Sequence, residues 1–291
     1  MAFSDPLIQS LSKAFDAPWP GPRGCSNSIK SDDLEVTVCP EDGARITSLK
    51  HKGVELLRQY NPDRKAFQYG CFPMVPFVGR VRNGTITFVG KDHFLYQNKG
   101  PNAMHGMAHF DPWHLDECSA NCINMSLKVG APWPWDCKVL QKICINKNVL
   151  TLSLCILSDT DTFPVDAGWH PWFLKDPDNT GASQLKVDFK ADSMEEIADE
   201  LPTGKLLKPT AGPWDDCFNF NNHKASAVLT YGDKRTISMT SNCPALVVFD
   251  KQPDATCVNP MTGVPNGVNT APHVITPNLM LVAKSIWTFN D

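Results

Sequence analysis

The stretch VLTLSLCIL, residues 149–157, sets leucine or isoleucine at 150, 152, 154 and 156, with threonine, serine and cysteine between them. Such alternation reads as a strand with one face buried and one face open, because successive side chains leave a strand on opposite sides. The same period of two recurs on either side of it. LEVTV (34–38), GTITFVG (84–90), INMSLKV (123–129), QLKVDF (184–189), RTISMTS (235–241), ALVVFD (245–250) and KSIWTF (284–289) all read as strands. Turn-forming clusters such as EDG, RNG, PDNTG and YGDK fall between them. Only two short helical pieces are predicted. One is opened by Ser4 and Pro6 and carries Leu7, Leu11 and Phe15 on one face; the other is a helical turn over SMEEIADEL (193–201). Many strands without helical crossovers predict an all-β protein, an antiparallel sandwich or barrel. The chain divides into an N-terminal extension, 1–32, holding the first helix, and a single β domain, 33–291.

The bulk numbers narrow the function classes. The chain has 291 residues and 42% hydrophobic content, enough for one large core. The formal net charge is −4 with both signs mixed, which argues against nucleic acid or a membrane surface as partner. No run reaches the roughly 18 apolar residues of a membrane span. The N-terminus lacks a basic segment followed by an apolar one, so no secretory signal is read and a cytoplasmic protein is expected. The eleven cysteines are scattered, an odd count that predicts free thiols in a reducing compartment, mostly buried as small apolar side chains.

Polar side chains collect in apolar segments rich in Gly, Pro and Trp. In GCFPMVPFVGRVRNG (70–84), Arg80 and Arg82 lie one alternation step apart and share a face if the strand continues. They are either solvated edge charges or a ligand-binding pair. NAMHGMAHFDPWHL (102–115) holds His105, His109 and His114. Those spacings suit zinc only on a helix, which Gly106 and Pro112 disfavour, so no metal is expected. In FPVDAGWHPWF (163–173), His170 stands between two tryptophans, either as a packed corner or beside indole faces that suit the apolar C–H faces of sugar rings. In GPWDDCFNF (212–220), Asp215 and Asp216 are adjacent beside Trp214 and Phe218, a pattern that an N-cap or turn also explains.

Taken in order, FPMVPFVGRVRNG, MHGMAHFDPWHL, FPVDAGWHPWF, LPTG, PWDDCF and NPMTGVPNGVN resemble the successive signatures of the aldose 1-epimerases, the galactose mutarotases. The resemblance spans about residues 33–289. It implies one large β-sandwich with an open cleft, no metal or organic cofactor, and a monosaccharide as small-molecule ligand, in a monomer or homodimer. It also implies roles. Arg80 and Asp215 bind sugar hydroxyls. His105 binds substrate near the ring oxygen, and His170 is the general acid that protonates it. The family's base is a glutamate directly before proline; here that position is Asn259, in NPMT. Gly79 likewise stands where an asparagine is common.

Asn259 bears directly on the chemistry. Mutarotation needs a base on the anomeric hydroxyl and an acid on the ring oxygen; an amide hydrogen-bonds but cannot carry the proton. Three readings follow: a weak or altered aldose epimerase, with water or a nearby acid such as Asp250 or Asp254 as base; a non-catalytic carbohydrate-binding protein; or a repurposed isomerase using His170 and His105 on a non-aldose molecule. The stretch after Gly106 lacks an arginine for a phosphate, so a phosphorylated sugar is disfavoured.

Overall fold

The computed structural model describes residues 22–109, 111–181, 184–232 and 235–291. The alternating stretches become two antiparallel sheets packed face to face. One has eleven strands, and its order across the sheet runs from the edge strand Asn27–Lys30 through Leu34–Cys39, Arg45–His51, Cys71–Met74, Gly168–Leu174, Ala255–Met261, Ala245–Phe249 and Asp215–Asn219 to the hairpin Ser193–Ala198 and Leu201–Leu207. The other has eight strands, with Val149–Leu157 between Cys137–Asn146 and Leu281–Asn290 near its middle. The all-β sandwich is therefore as the sequence predicts.

The alternation does the work expected of it. Leu150, Leu152, Leu154 and Ile156 are fully buried between the sheets, while the residues between them are half-buried on the outer face. On the facing sheet, Trp169 and Phe173 point inward as well: the Trp169 indole N–H donates to Gln141 Oε1 at 3.1 Å across the sandwich, and the Phe173 ring meets Trp287 at 5.3 Å. Because side chains alternate, His170 and Trp172 on that same strand face the other way. The outer face of the eleven-stranded sheet carries its own small apolar cluster, including Phe72, Met74, Trp172, Cys257 and Met261.

Several expectations need correction. SMEEIADEL is not helical. Ser193–Ala198 and Leu201–Leu207 are paired strands joined by the two-residue turn Asp199–Glu200. The expected helical turn lost to hairpin pairing at the sheet edge. Arg82 does not share a face with Arg80, because the strand ends at Val81 in a turn with Asn83 at φ 53°, which leaves Arg82 exposed. The sheet begins at Asn27, inside the stretch read as an extension; the helix expected near Leu7 lies outside the described residues. Not every thiol is free. Cys122 and Cys144 are register partners on adjacent strands, with Cα atoms 4.1 Å apart, and are joined as a disulfide. Their separation of 22 residues gave no sign of this, since it depends on hairpin register. Of the free cysteines, Cys39, Cys71, Cys137, Cys217, Cys243 and Cys257 are buried. Among the described residues no helix is long and apolar enough to cross a membrane.

Candidate active site

Backbone pairing builds the site. The strands Gly168–Leu174 and Ala255–Met261 pair antiparallel, with Gly168 opposite Met261 and Trp172 opposite Cys257. This register sets His170 opposite Asn259. Pro171 and Pro260 remove two ladder donors there. The row continues sideways: Phe72 pairs with His170, Val247 with Asn259, and Cys217 with Val247. Two positions along, Trp172, Cys257, Phe249 and Asp215 make a second row. Imidazole, amide and carboxylate thus stand on one face of a pleated sheet.

The remaining side chains come from a loop folded over this face. Backbone N–H groups of Met107 and Ala108 donate to Val75 O, and that of His105 to Gly79 O at 2.8 Å. His105 is left-handed, with φ 61°. Gly106 follows with φ 70°, and a Cβ there would lie 2.1 Å from Val75 O, so only glycine fits. Arg80 pairs with Met104 at the start of the same loop. Gly79, at φ 57°, packs against Pro265, whose Cβ would be 2.8 Å from a side chain placed there.

Arg80, His105, His170, Asp215 and Asn259 all line one cleft of about 260 Å³, below the roughly 300–1,000 Å³ of drug-sized pockets. Sequence reasoning missed several of its walls. Phe249 and Met261 line it, as do Lys99 and Glu200, beside the Trp172 already noted next to His170. Glu200 precedes the LPTG stretch that was noticed, but nothing in its spacing marks it. The candidate replacement bases do not line the cleft. Asp250 is paired with Lys175 at 2.8 Å and accepts from Thr256, while Asp254 is held by Arg58 and Arg64. His114 is exposed on the other sheet, and among the described residues no group of His, Cys, Asp and Glu is arranged to hold a metal ion.

His170 and Asn259 line the cleft, and His170 Nδ1 and Asn259 Oδ1 are buried without a hydrogen bond to another described residue. Their residues are 6% and 2% exposed, so both groups are largely desolvated. His170 is the centre of a stack. Its ring lies 4.9 Å from Phe72 and 5.3 Å from Trp172, at 14° and 25°. The Arg58 guanidinium covers the far side of Trp172 at 4.4 Å, and Arg45 covers Phe72 at 4.9 Å. Burial first, and these two cations after it, push the His170 imidazole down to about 3, against one raising contact with its own backbone. The imidazole expected to be a proton donor is therefore neutral at pH 7. His105 and His109 are also held well below the ordinary histidine range by burial, with neighbouring positive groups adding to it. At the rim, partial desolvation raises Asp215 despite the pull of Lys251 and Arg80.

A buried carboxylate ties the site strands together. Asp166 N–H donates to Pro76 O, and its Oδ1 accepts from the Thr262 hydroxyl at 2.9 Å and meets His273 Nδ1 at 2.9 Å. The Ala167 N–H donates to the same Thr262 hydroxyl. Three site segments, those bearing Arg80, His170 and Asn259, thus share one network. Burial raises the Asp166 carboxyl more than His273 lowers it; the hydrogen bond to Asp166 raises His273.

An open cleft with aromatic and polar walls, on the face of a large antiparallel sandwich, is the architecture of the mutarotase type of β-protein. A sequence profile of the aldose 1-epimerases matches residues 27–289, and the chain belongs to that family. Over 157 residues it is 26% identical to the uncharacterized protein YphB of Escherichia coli K12; this covers 52% of the chain and about half, 52%, of that curated relative. Galactose 1-epimerase from Lactobacillus acidophilus has the same fold, with TM-score 0.76 at 18% identity over 91% of this chain and 94% of that one. The aldose epimerase homologue of C. elegans gives 0.78 at 16% identity, over 91% and 99%. At these identities the likeness to the solved structures concerns the fold.

Proposed function

We propose that the cleft binds a free monosaccharide and interconverts its anomers slowly. The observation that carries this reading is the opposed pair of His170 and Asn259 on the wall of one cleft, with Arg80 and Asp215 at its rim. Ring opening breaks the O–H bond of the anomeric hydroxyl and the bond from the anomeric carbon to the ring oxygen. One proton leaves and another arrives at the ring oxygen. The Asn259 carbonyl accepts a hydrogen bond from the anomeric hydroxyl but cannot keep its proton, so water must take it. His170 is the group nearest the proper position for the acid, yet it must first be protonated against its burial. Each acid or base group is worth about 10²–10⁴-fold, and both are weakened here. Arg80, Asp215 and His105 orient the ring.

The neutral imidazole supports a second reading, sugar binding without turnover. Proton-exchange NMR of the α and β anomers of glucose and galactose separates the two. Interconversion above the spontaneous rate, lost in His170→Gln, supports slow catalysis. Saturable sugar binding with interconversion at the spontaneous rate supports binding alone. No binding of either sugar defeats both.

A further inference from the structure

Glu200 has no role in the family pattern, yet it stands at the cleft. It is the second residue of the two-residue turn between Ser193–Ala198 and Leu201–Leu207. Asp199 and Glu200 both adopt left-handed backbone, with φ of 49° and 63°. Asparagine and glycine are the residues that suit such a turn; a glutamate is strained there, and strain of this kind concentrates at functional positions. The turn aims its carboxylate at Arg80, with Oε2 3.2 Å from Nε. Asp215 feels both charges, since on top of the burial that raises its carboxyl, Arg80 lowers it and Glu200 raises it. The Glu200 side chain is nevertheless 59% exposed, so a ligand can reach it.

We infer that Glu200 is a ligand-recognition residue: with Arg80 it forms an acceptor–donor pair that reads two neighbouring hydroxyls of the bound sugar. The inference rests on the sugar-binding reading above and deepens it. An arginine N–H and a carboxylate oxygen held side by side match two adjacent ring hydroxyls, one donating to Glu200 and the next accepting from Arg80. Asp215, on the neighbouring side of the rim, supplies a second acceptor. The sugar class selected is a pyranose with a free vicinal diol at the end of the ring that meets the hairpin. Sequence reading passed over this residue because its place in the cleft depends on a hairpin that the sequence did not predict.

The test uses the full chain and titration calorimetry with methyl β-D-galactoside and methyl β-D-glucoside, which cannot ring-open, together with their 2-, 3-, 4- and 6-deoxy analogues. Charge-assisted hydrogen bonds are worth enough that Glu200→Gln and Glu200→Ala should each weaken binding of the parent glycosides about 10-fold. One deoxy analogue should bind the wild-type protein about 10-fold more weakly than its parent, and bind Glu200→Gln no worse than the parent does. Glu196→Gln, on the same hairpin but paired with Lys205, should leave affinity unchanged. Glycoside binding at wild-type strength by both Glu200 variants overturns the role of Glu200 and leaves the sugar reading standing. Equal losses for every deoxy analogue in wild type and variant also overturn it. Failure of the wild-type protein to bind any glycoside overturns the sugar reading, and this inference with it.

Discussion

Replacing Asn259 by glutamate should convert the site into an effective mutarotase, and the size of the gain follows from the row in which the residue sits. His170 is opposite Asn259 on the neighbouring strand, and opposed residues have Cβ atoms about 4.5–5.5 Å apart. A carboxylate about 5 Å from the imidazole, at an effective dielectric constant of about 20, attracts its charged form by about 3 kcal/mol. That equals roughly 2 to 3 pKa units. It would lift His170 from about 3 to a value between about 5 and 6, which raises its protonated fraction at pH 7 by about two orders of magnitude. One substitution therefore supplies the base and restores the acid. Glu is one methylene longer than Asn, and Asn259 already faces the cleft, so the extra length has open volume to enter. A rise of at least 10²-fold in anomer interconversion is expected, measured by exchange NMR on glucose and galactose with the spontaneous rate subtracted. NMR titration of the His170 ring in the same variant should show the upward shift. A folded, sugar-binding Asn259→Glu protein with no rate gain and an unshifted His170 would refute the pairing argument.

Two further outcomes concern stability. His105, His109 and His170 have folded pKa values pushed below the unfolded one, so below about pH 6.5 the unfolded chain takes up protons that the folded chain refuses. Stability should fall with acid by up to about 1.4 kcal/mol per pH unit for each, and urea titrations between pH 6 and 4.5 should give His170→Gln a slope shallower than wild type by that amount; an equal slope would mean His170 is not buried neutral. His273 works in the opposite sense, since its pKa is raised by Asp166. The stabilisation it gives is complete below the unfolded value and is lost as pH rises through the folded one. His273→Gln should therefore melt below wild type at pH 6 and level with it at alkaline pH, and a constant difference across that range would rule the ion pair out.

The fold was legible because burial follows period two so closely. Val149–Leu157 and Arg235–Ser241 have the predicted bounds. Where the signal was local, reading succeeded; where it depended on what lay opposite, it failed. SMEEIADEL read as a helical turn, but Met194 and Ile197 pair with Leu207 and Pro202 in a hairpin. The disulfide needed the register of Cys122 against Cys144. The same division runs through the site. Arg80, His105, His170, Asp215 and Asn259 carry recognisable neighbours in sequence. The charge state of His170 does not, because it is set first by burial and then by Arg45 and Arg58, more than a hundred residues earlier in the chain, which cover Phe72 and Trp172 beside it. Glu200 was invisible for the same reason.

The row formed by Phe72, His170, Asn259, Val247 and Cys217 is laid down by main-chain pairing in the middle of a sheet whose reverse side is the core. A shift of one residue in either central strand would turn the imidazole inward and a core side chain outward, so folding itself enforces the alignment. Side chains at these stations are free to change because no loop has to be rebuilt around them. A descendant of this fold can therefore exchange its reaction by point substitution while its architecture stands still, and Asn259 occupies the station where one such exchange changes the chemistry most.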